Sequence, residues 1–117
     1  MALIIHHQFF KNKSEVLLDI ESNNTWPTTF VSGVSPGAPV HWHKDEVHAY
    51  IMEGETDFLD VENDLRTPVQ AGDKIVVPAR TLHAEGAIEK DRVVYILALP
   101  SALDAEDFLA MFTPEEL

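Results

Sequence analysis

The amino-acid sequence predicts an all-β fold of the antiparallel sandwich or barrel type, in one domain over residues 1–117. Short runs rich in Val, Ile, Phe, Tyr and Thr recur along the chain, a pattern typical of many short strands. Gly, Pro, Asn and Asp separate these runs, and no run alternates with a helical pattern as a parallel sheet would require. A chain of 117 residues is long enough for one sizeable core.

Eight segments of the chain are predicted to be strands. Turn-forming pairs such as Asn23-Asn24, Pro36-Gly37 and Asn63-Asp64 lie between them. The predicted strands are Glu15–Ile20, Thr29–Val34, Val40–His43, Val47–Met52, Thr56–Val61, Lys74–Val77, Leu82–Gly86 and Val93–Leu99.

A short helix is predicted at the C-terminal end. Ser101 follows Pro100 and can cap the helix, and Thr113-Pro114 ends it. One apolar stripe follows from the spacing of i, i+3, i+4 and i+7, formed by Ala105, Phe108, Leu109 and Phe112. We expect this helix to close one face of the barrel.

The composition excludes several classes of function. Eight Lys and Arg against 20 Asp and Glu give a net charge of −12, and the isoelectric point is near 4.6. Such a field repels nucleic acids and anionic membrane surfaces, so neither is expected as a partner. The chain has no cysteine, which excludes disulfides, thiolate zinc sites and cysteine nucleophiles. The N-terminus has no signal-peptide pattern, and we expect a cytoplasmic protein.

Three histidines carry the strongest functional signal. His41 and His43 are two residues apart, so on a strand both side chains point to one face and can reach one metal ion. His83 follows 40 residues later, at the end of a segment that begins with a Gly-Asp turn and contains Pro78. A metal held by imidazoles can be Fe, Ni, Cu or Zn.

These two segments resemble the two sequence motifs of the cupin family. Gly72, Pro78 and His83 match the second motif in spacing, whereas Arg80 stands where that motif has glycine and Ala87 where it has asparagine. In the first motif the histidine pair and Gly54 match, while Gly37 lies too close to His41 to fit the opening glycine. The resemblance implies a double-stranded β-helix, the cupin jelly-roll barrel.

The position of the first motif's glutamate is left open by the sequence. Counting back from Gly54 reaches Val47, and counting forward from His43 reaches His48, so a bulge or loop must absorb one residue. A one-residue slip would reverse which side chains face the lumen. We favour His48 as a fourth ligand beside His41, His43 and His83, with Glu46 as the alternative and a three-histidine site as the third arrangement.

Other residues are assigned simpler roles. His6 and His7 are expected on a terminal edge strand without a function, and Trp42 is expected to pack away from the metal face. Arg80 is expected in a solvated loop, where pairing with a substrate carboxylate is the alternative, and Tyr50 is expected in the core rather than beside the metal.

Three functions are compatible with such a site. The first is a metal-binding small cupin that acts as a dioxygenase-like enzyme on a small oxygenated organic acid. The others are a metal-dependent lyase or isomerase and a non-catalytic module that binds a sugar or small acid. We expect one divalent transition metal per chain, Fe first and Mn, Ni, Zn or Cu otherwise, together with a small-molecule ligand and a homodimer.

Overall fold

Two antiparallel sheets form the fold, as seen in a computed structural model that describes residues 2–100 and 110–117. The five-stranded sheet has the order β1-β6-β3-β8-β2, and the three-stranded sheet has the order β5-β4-β7. The all-β prediction and its jelly-roll type are confirmed. The elements in chain order are β1 (Ile4–His6), α1 (Lys13–Ser22), β2 (Trp26–Ser35), β3 (Val47–Glu53), β4 (Glu55–Asp60), β5 (Leu65–Gln70), β6 (Lys74–Val77), β7 (His83–Glu85), β8 (Ile88–Leu99) and a 3₁₀ turn (Pro114–Glu116).

Strand β3 separates two layers of apolar contacts. Val47, Ala49 and Ile51 face the core between the two sheets, because alternate residues of a strand point to opposite faces. Tyr50 faces the other way, into a second cluster with helix α1. The pairing of β3 with β8 shifts between Ile51 and Glu53, and this irregularity absorbs the extra residue noted in the first motif.

The first predicted strand, Glu15–Ile20, is wrong, because these residues belong to α1. The Asn12 side chain accepts a hydrogen bond from the backbone N–H of Glu15 at 3.0 Å, and the Glu15 carboxylate accepts one from the N–H of Lys11 at 2.9 Å. This reciprocal capping starts a helix before an apolar run that by itself is ambiguous between helix and strand. Val16 and Ile20 of the helix are buried against the five-stranded sheet.

Two other segments differ from the predicted strands. Val40–His43 forms no regular strand, and only the isolated bridges His41–His83 and Trp42–Phe112 remain of it. Strand β5 was not predicted, and it contains Pro68, a residue that strands accommodate mainly at sheet edges. It lies at the edge of the three-stranded sheet, where a missing N–H costs no ladder hydrogen bond.

The predicted C-terminal helix lies mostly at residues 101–109, outside the described part of the chain. Where the description resumes, Phe112 forms an extended bridge with Trp42, so the helix does not reach Phe112. No helix among the described residues is long and apolar enough to cross a membrane. The expected cytoplasmic location stays a prediction.

Candidate metal centre

Three histidines meet where the segment before β3 runs beside β7. The backbones of His41 and His83 exchange two hydrogen bonds, of 2.9 and 3.0 Å, which fix the two segments side by side. The ring centres of His41 and His83 are 4.4 Å apart, and the ring of His43 lies 5.0 and 5.2 Å from them. All three histidines are buried.

Glu85 completes the cluster. One ligand-type atom from each of the four residues lies within 4.8 Å of the others. The carboxylate oxygens of Glu85 lie 3.2 Å from Nε2 of His41 and 3.8 Å from Nε2 of His83. Three imidazoles and one carboxylate therefore converge on one point.

Backbone carbonyls orient all three imidazoles. Nδ1–H of His41 donates to the Pro39 carbonyl at 2.6 Å, that of His83 to Thr81 at 2.9 Å, and that of His43 to Ala110 at 3.1 Å. Because a carbonyl oxygen only accepts, each Nδ1 carries the hydrogen and each Nε2 is left for a ligand. Such partners are what metal-binding histidines require to fix their tautomer.

The local pKa shifts follow from burial and from Glu85. Burial lowers the pKa of His83 to about 4 and also lowers that of His43, so both imidazoles are neutral at pH 7. Burial lowers the pKa of His41 too, but the adjacent Glu85 carboxylate outweighs it and the net pKa is raised. Burial raises the pKa of Glu85, but His41 and His83 outweigh it and bring the value down to about 2.

The donor set fits a divalent transition metal. Nε2 of His41 and Oε2 of Glu85 are both buried and lie 3.2 Å apart, but with the imidazole hydrogen on Nδ1 both atoms are acceptors and no hydrogen bond joins them. Leaving a buried acceptor unsatisfied costs free energy, and a cation between these atoms would remove that cost. Three imidazole nitrogens and one carboxylate are donors that suit Fe, Mn, Ni, Cu and Zn.

The structure does not bring His48 or Glu46 into the cluster. His48 lies on the outer face of β3, where its Nε2 contacts Oε2 of Glu46 at 2.8 Å. Val47 occupies the inward position instead. The fourth member of the cluster in the structure is Glu85 rather than His48 or Glu46.

Glu85 was missed by the sequence analysis although a signal for it exists. It follows His83 by two residues on β7, so both side chains point to one face of the strand. The same spacing identified His41 and His43. The sequence analysis took the glutamate of the first motif as the carboxylate ligand candidate, and Glu85 was therefore not considered.

The cluster lies on the wall of a cavity of about 390 Å³ between the two sheets. Apart from His43, His83 and Glu85, most of its lining is apolar. Tyr95 of β8 also lines the cavity, and burial together with the Glu85 charge raises the pKa of its hydroxyl, which stays protonated. The cavity lining includes Phe30, Val47, Phe58, Val77, Ile88, Leu97 and Met111.

Trp42 and Tyr50 are both buried and lie away from the cavity. Trp42 points away from the cluster, stacks on Phe112 and donates from Nε1 to the Thr113 carbonyl at 2.8 Å. Tyr50 is fully buried on the outer face of β3, away from the cavity.

Arg80 has a positive φ of 64°, which explains why the cupin motif has glycine at its position. Its N–H donates to the His43 carbonyl at 2.9 Å, and its guanidinium lies 5.0 Å from the Trp42 ring. The guanidinium therefore lies beside Trp42, which points away from the cluster. Arg80 is not among the residues that line the cavity.

The sequence of residues 30–99 matches the family model of the cupin domain. This chain belongs to the cupin family. The match includes β2 from Phe30 onward, the cluster and all of β8, and so most of the residues that line the cavity. No curated protein matches the sequence of this cupin.

Solved structures show the same fold at low sequence identity. A DUF861 family protein from Thermotoga maritima has a TM-score of 0.59 and 17% identity, over 83% of this cupin and 98% of that protein. Acireductone dioxygenase from Bacillus anthracis, with a cadmium ion in its active centre, has a TM-score of 0.66 and 15% identity, over 86% and 64%. A cupin-like protein from Thermotoga maritima has a TM-score of 0.55 and 17% identity, over 97% and 80%.

Proposed function

We propose that this cupin is a metal-dependent, dioxygenase-like enzyme that acts on a small oxygenated organic acid, with Fe(II) as its metal. The observation that carries this proposal is the convergence of His41, His43, His83 and Glu85 on one point at the wall of a cavity. A bound divalent ion would supply open positions for oxygen ligands and would activate O₂ or polarise a carbonyl group.

The carboxylate changes the charge that a ligand would meet. Three neutral imidazoles leave a divalent ion with its full charge, whereas Glu85 reduces the total charge of the site to about +1. Four protein donors still leave coordination positions of a six-coordinate ion open. The site can therefore neutralise one anionic group of a ligand.

The residues around the cluster exclude water and offer one neutral donor. Buried apolar side chains of both sheets line the cavity beside the cluster, which weakens competition from solvent. Tyr95 lines the same cavity, and its hydroxyl stays protonated because burial and the Glu85 charge raise its pKa. It can donate a hydrogen bond to a bound ligand without carrying charge.

The solved structure of acireductone dioxygenase supports the proposal at the level of fold. That protein holds cadmium in its active centre and shares this fold with a TM-score of 0.66. The chain spans 64% of the length of that protein, so its reaction is not transferred to this cupin.

Metal analysis and oxygen consumption test the proposed function. We expect protein purified without added metal to contain Fe at about one ion per chain, and to consume O₂ when a suitable oxygenated acid is supplied. Protein that binds no divalent ion even after reconstitution would contradict the proposal. Turnover without O₂ and with Mn, Ni or Zn would instead indicate a lyase or isomerase, and ligand binding without turnover at any metal loading would indicate a binding module.

We also propose that two chains pair through β2. This strand is an edge of the five-stranded sheet, and its exposed apolar side chains include Trp26, Val31 and Val34. An exposed edge of this kind offers unpaired backbone groups to a second strand. Light scattering at micromolar concentration should give twice the chain mass of 13.1 kDa, and a mass near 13.1 kDa would contradict the dimer.

A further inference from the structure

Among the residues that the structure describes, no lysine or arginine lines the cavity beside the cluster. Its charged and titratable lining residues are His43, His83, Glu85 and Tyr95, and the rest are apolar side chains, glycine and serine. Two serines, Ser32 and Ser35, add neutral polar groups to the lining. Any second negative charge on a bound ligand would therefore lie close to Glu85 without a protein partner.

Three of the Lys and Arg residues form ion pairs away from the cavity. Lys74 is bound to Asp19 on the outer face of the sheet, Arg66 pairs with Asp57, and Arg92 pairs with Glu53. Residues 101–117 contain no Lys or Arg in the sequence, so no part of the C-terminal segment can bring a cation to the cavity.

We propose that the ligand of this cavity has a single oxygen-chelating head and an uncharged, apolar body, and that compounds with a second anionic group are excluded. The chelating head would bind at the cluster, and the body would lie against side chains such as Phe58, Val77 and Leu97. This inference rests on the proposed function, because the head needs a bound metal ion.

The apolar lining of the cavity makes the exclusion of a second carboxylate strong. An ionised carboxylate placed in an apolar cavity loses its hydration, and without a counter-ion the loss is not offset. A methyl group in the same place gains from burial instead. Neutral oxygen atoms on the body are tolerated, because the hydroxyls of Tyr95, Ser32 and Ser35 can bond to them.

Two 2-oxo acids of equal length separate these alternatives. 2-Oxopentanoate and 2-oxoglutarate have the same chelating head and differ only in a terminal methyl group against a terminal carboxylate. The protein is first titrated with Zn²⁺, which has no redox chemistry, and each acid is then titrated into the zinc-loaded protein by calorimetry. We expect 2-oxopentanoate to bind about tenfold more tightly or better.

The two steps distinguish the inference from the function on which it rests. Failure of Zn²⁺ to bind at about one ion per chain would overturn the proposed metal site itself. Normal zinc binding with equal affinity for the two acids, with tighter binding of 2-oxoglutarate, or with no binding of either would overturn the inference alone.

A pair of neighbouring substitutions on β2 sharpens the test. Phe30 is 41% exposed and lines the cavity, whereas Val31 is 52% exposed and does not line it. Both belong to β2 and point to opposite faces of it, so Phe30→Lys adds a charge beside the cavity and Val31→Lys adds the same charge on the other face. We expect Phe30→Lys to strengthen 2-oxoglutarate binding by about tenfold and Val31→Lys to leave it unchanged, with zinc stoichiometry retained in both. A gain that is not confined to Phe30→Lys would overturn the inference.

Discussion

The two faces of the five-stranded sheet hold similar residues in different arrangements. On the inner side, Glu85 lies among three imidazoles and no lysine or arginine lines the cavity beside it. On the outer side, under α1, the Asp19 carboxylate accepts hydrogen bonds from Lys74 at 2.6 Å and from Tyr50 at 2.5 Å. The Asp19 carboxylate is neutralised by Lys74, whereas the Glu85 carboxylate is available to a metal cation from solution.

The difference shows how a site can be told from a structural network. The Lys74 ammonium is buried and also lies 4.8 Å from the Phe9 ring and 5.2 Å from the Tyr50 ring, so the outer network is complete in itself. The inner cluster instead brings four ligand-type atoms within 4.8 Å of one another, and two of them, on His41 and Glu85, are buried 3.2 Å apart with no hydrogen bond. An unpartnered buried atom is not enough by itself, because Nδ1 of His48 on the outer side is one too. A histidine by itself does not mark the site, because His48 lies on the outer side with Glu46 as its contact.

The largest expected effect comes from removing an inner imidazole. We expect His43→Ala to weaken metal binding by about a hundredfold or more, because the variant loses a direct ligand rather than a supporting contact. The matched control is His48→Ala, which removes a histidine from the other side of the sheet. Metal affinity is measured by competition with a chelator, and equal losses in the two variants would remove the distinction between the faces.

Removing the Lys74–Asp19 ion pair on the outer side should lower the free energy of unfolding and leave metal affinity unchanged. Lys74→Met leaves the Asp19 carboxylate without its buried cation, and we expect the free energy of unfolding to fall by about 2–3 kcal/mol. Urea denaturation of the metal-free protein measures the loss. Adding Asp19→Asn to Lys74→Met should restore part of it, and a variant that loses metal affinity as well would show that the two faces are coupled.

A smaller effect is expected at the fourth ligand. Glu85→Gln keeps the shape of the side chain but removes its charge, and we expect metal affinity to fall by about tenfold. Glu46→Gln is the matched control, since Glu46 contacts His48 outside the cluster. If Glu46→Gln weakened metal binding and Glu85→Gln did not, the assignment of the fourth ligand would be reversed.

The outer carboxylate should also give a pH dependence of stability. Burial raises the pKa of Asp19, but the hydrogen bonds from Lys74 and Tyr50 and the Lys74 charge outweigh it, so the folded pKa lies below 3.8. A carboxyl with a lowered folded pKa stabilises the protein above its unfolded pKa and loses that contribution as the pH falls through the folded value. The difference in unfolding free energy between the wild type and Asp19→Asn should therefore shrink below about pH 4. A difference that does not change between pH 7 and pH 3 would contradict this.

Most of the strands and three of the four clustered residues were predictable from local patterns. Val47–Met52, Lys74–Val77 and Val93–Leu99 correspond to β3, β6 and most of β8, because apolar β-branched runs bounded by turn residues are a local signal. Glu15–Ile20 failed because the capping by Asn12 and Glu15 decides between helix and strand. Strand β5 was not predicted, and its edge position is what makes Pro68 acceptable in it.

The sequence by itself placed His41 and His43 on one face, because residues two apart on a strand share a face. Its resemblance to the two cupin motifs indicated the fold family and brought in the distant His83. Only the tertiary structure decided that Val47 rather than His48 faces inward. The register shift between Ile51 and Glu53 takes up the extra residue, so that Val47, Ala49 and Ile51 face the core. The tertiary structure also decided which of two carboxylates pairs with a lysine and which does not. Asp19 and Glu85 are both acidic side chains in the sequence, and long-range packing gives a lysine to Asp19 and imidazoles to Glu85.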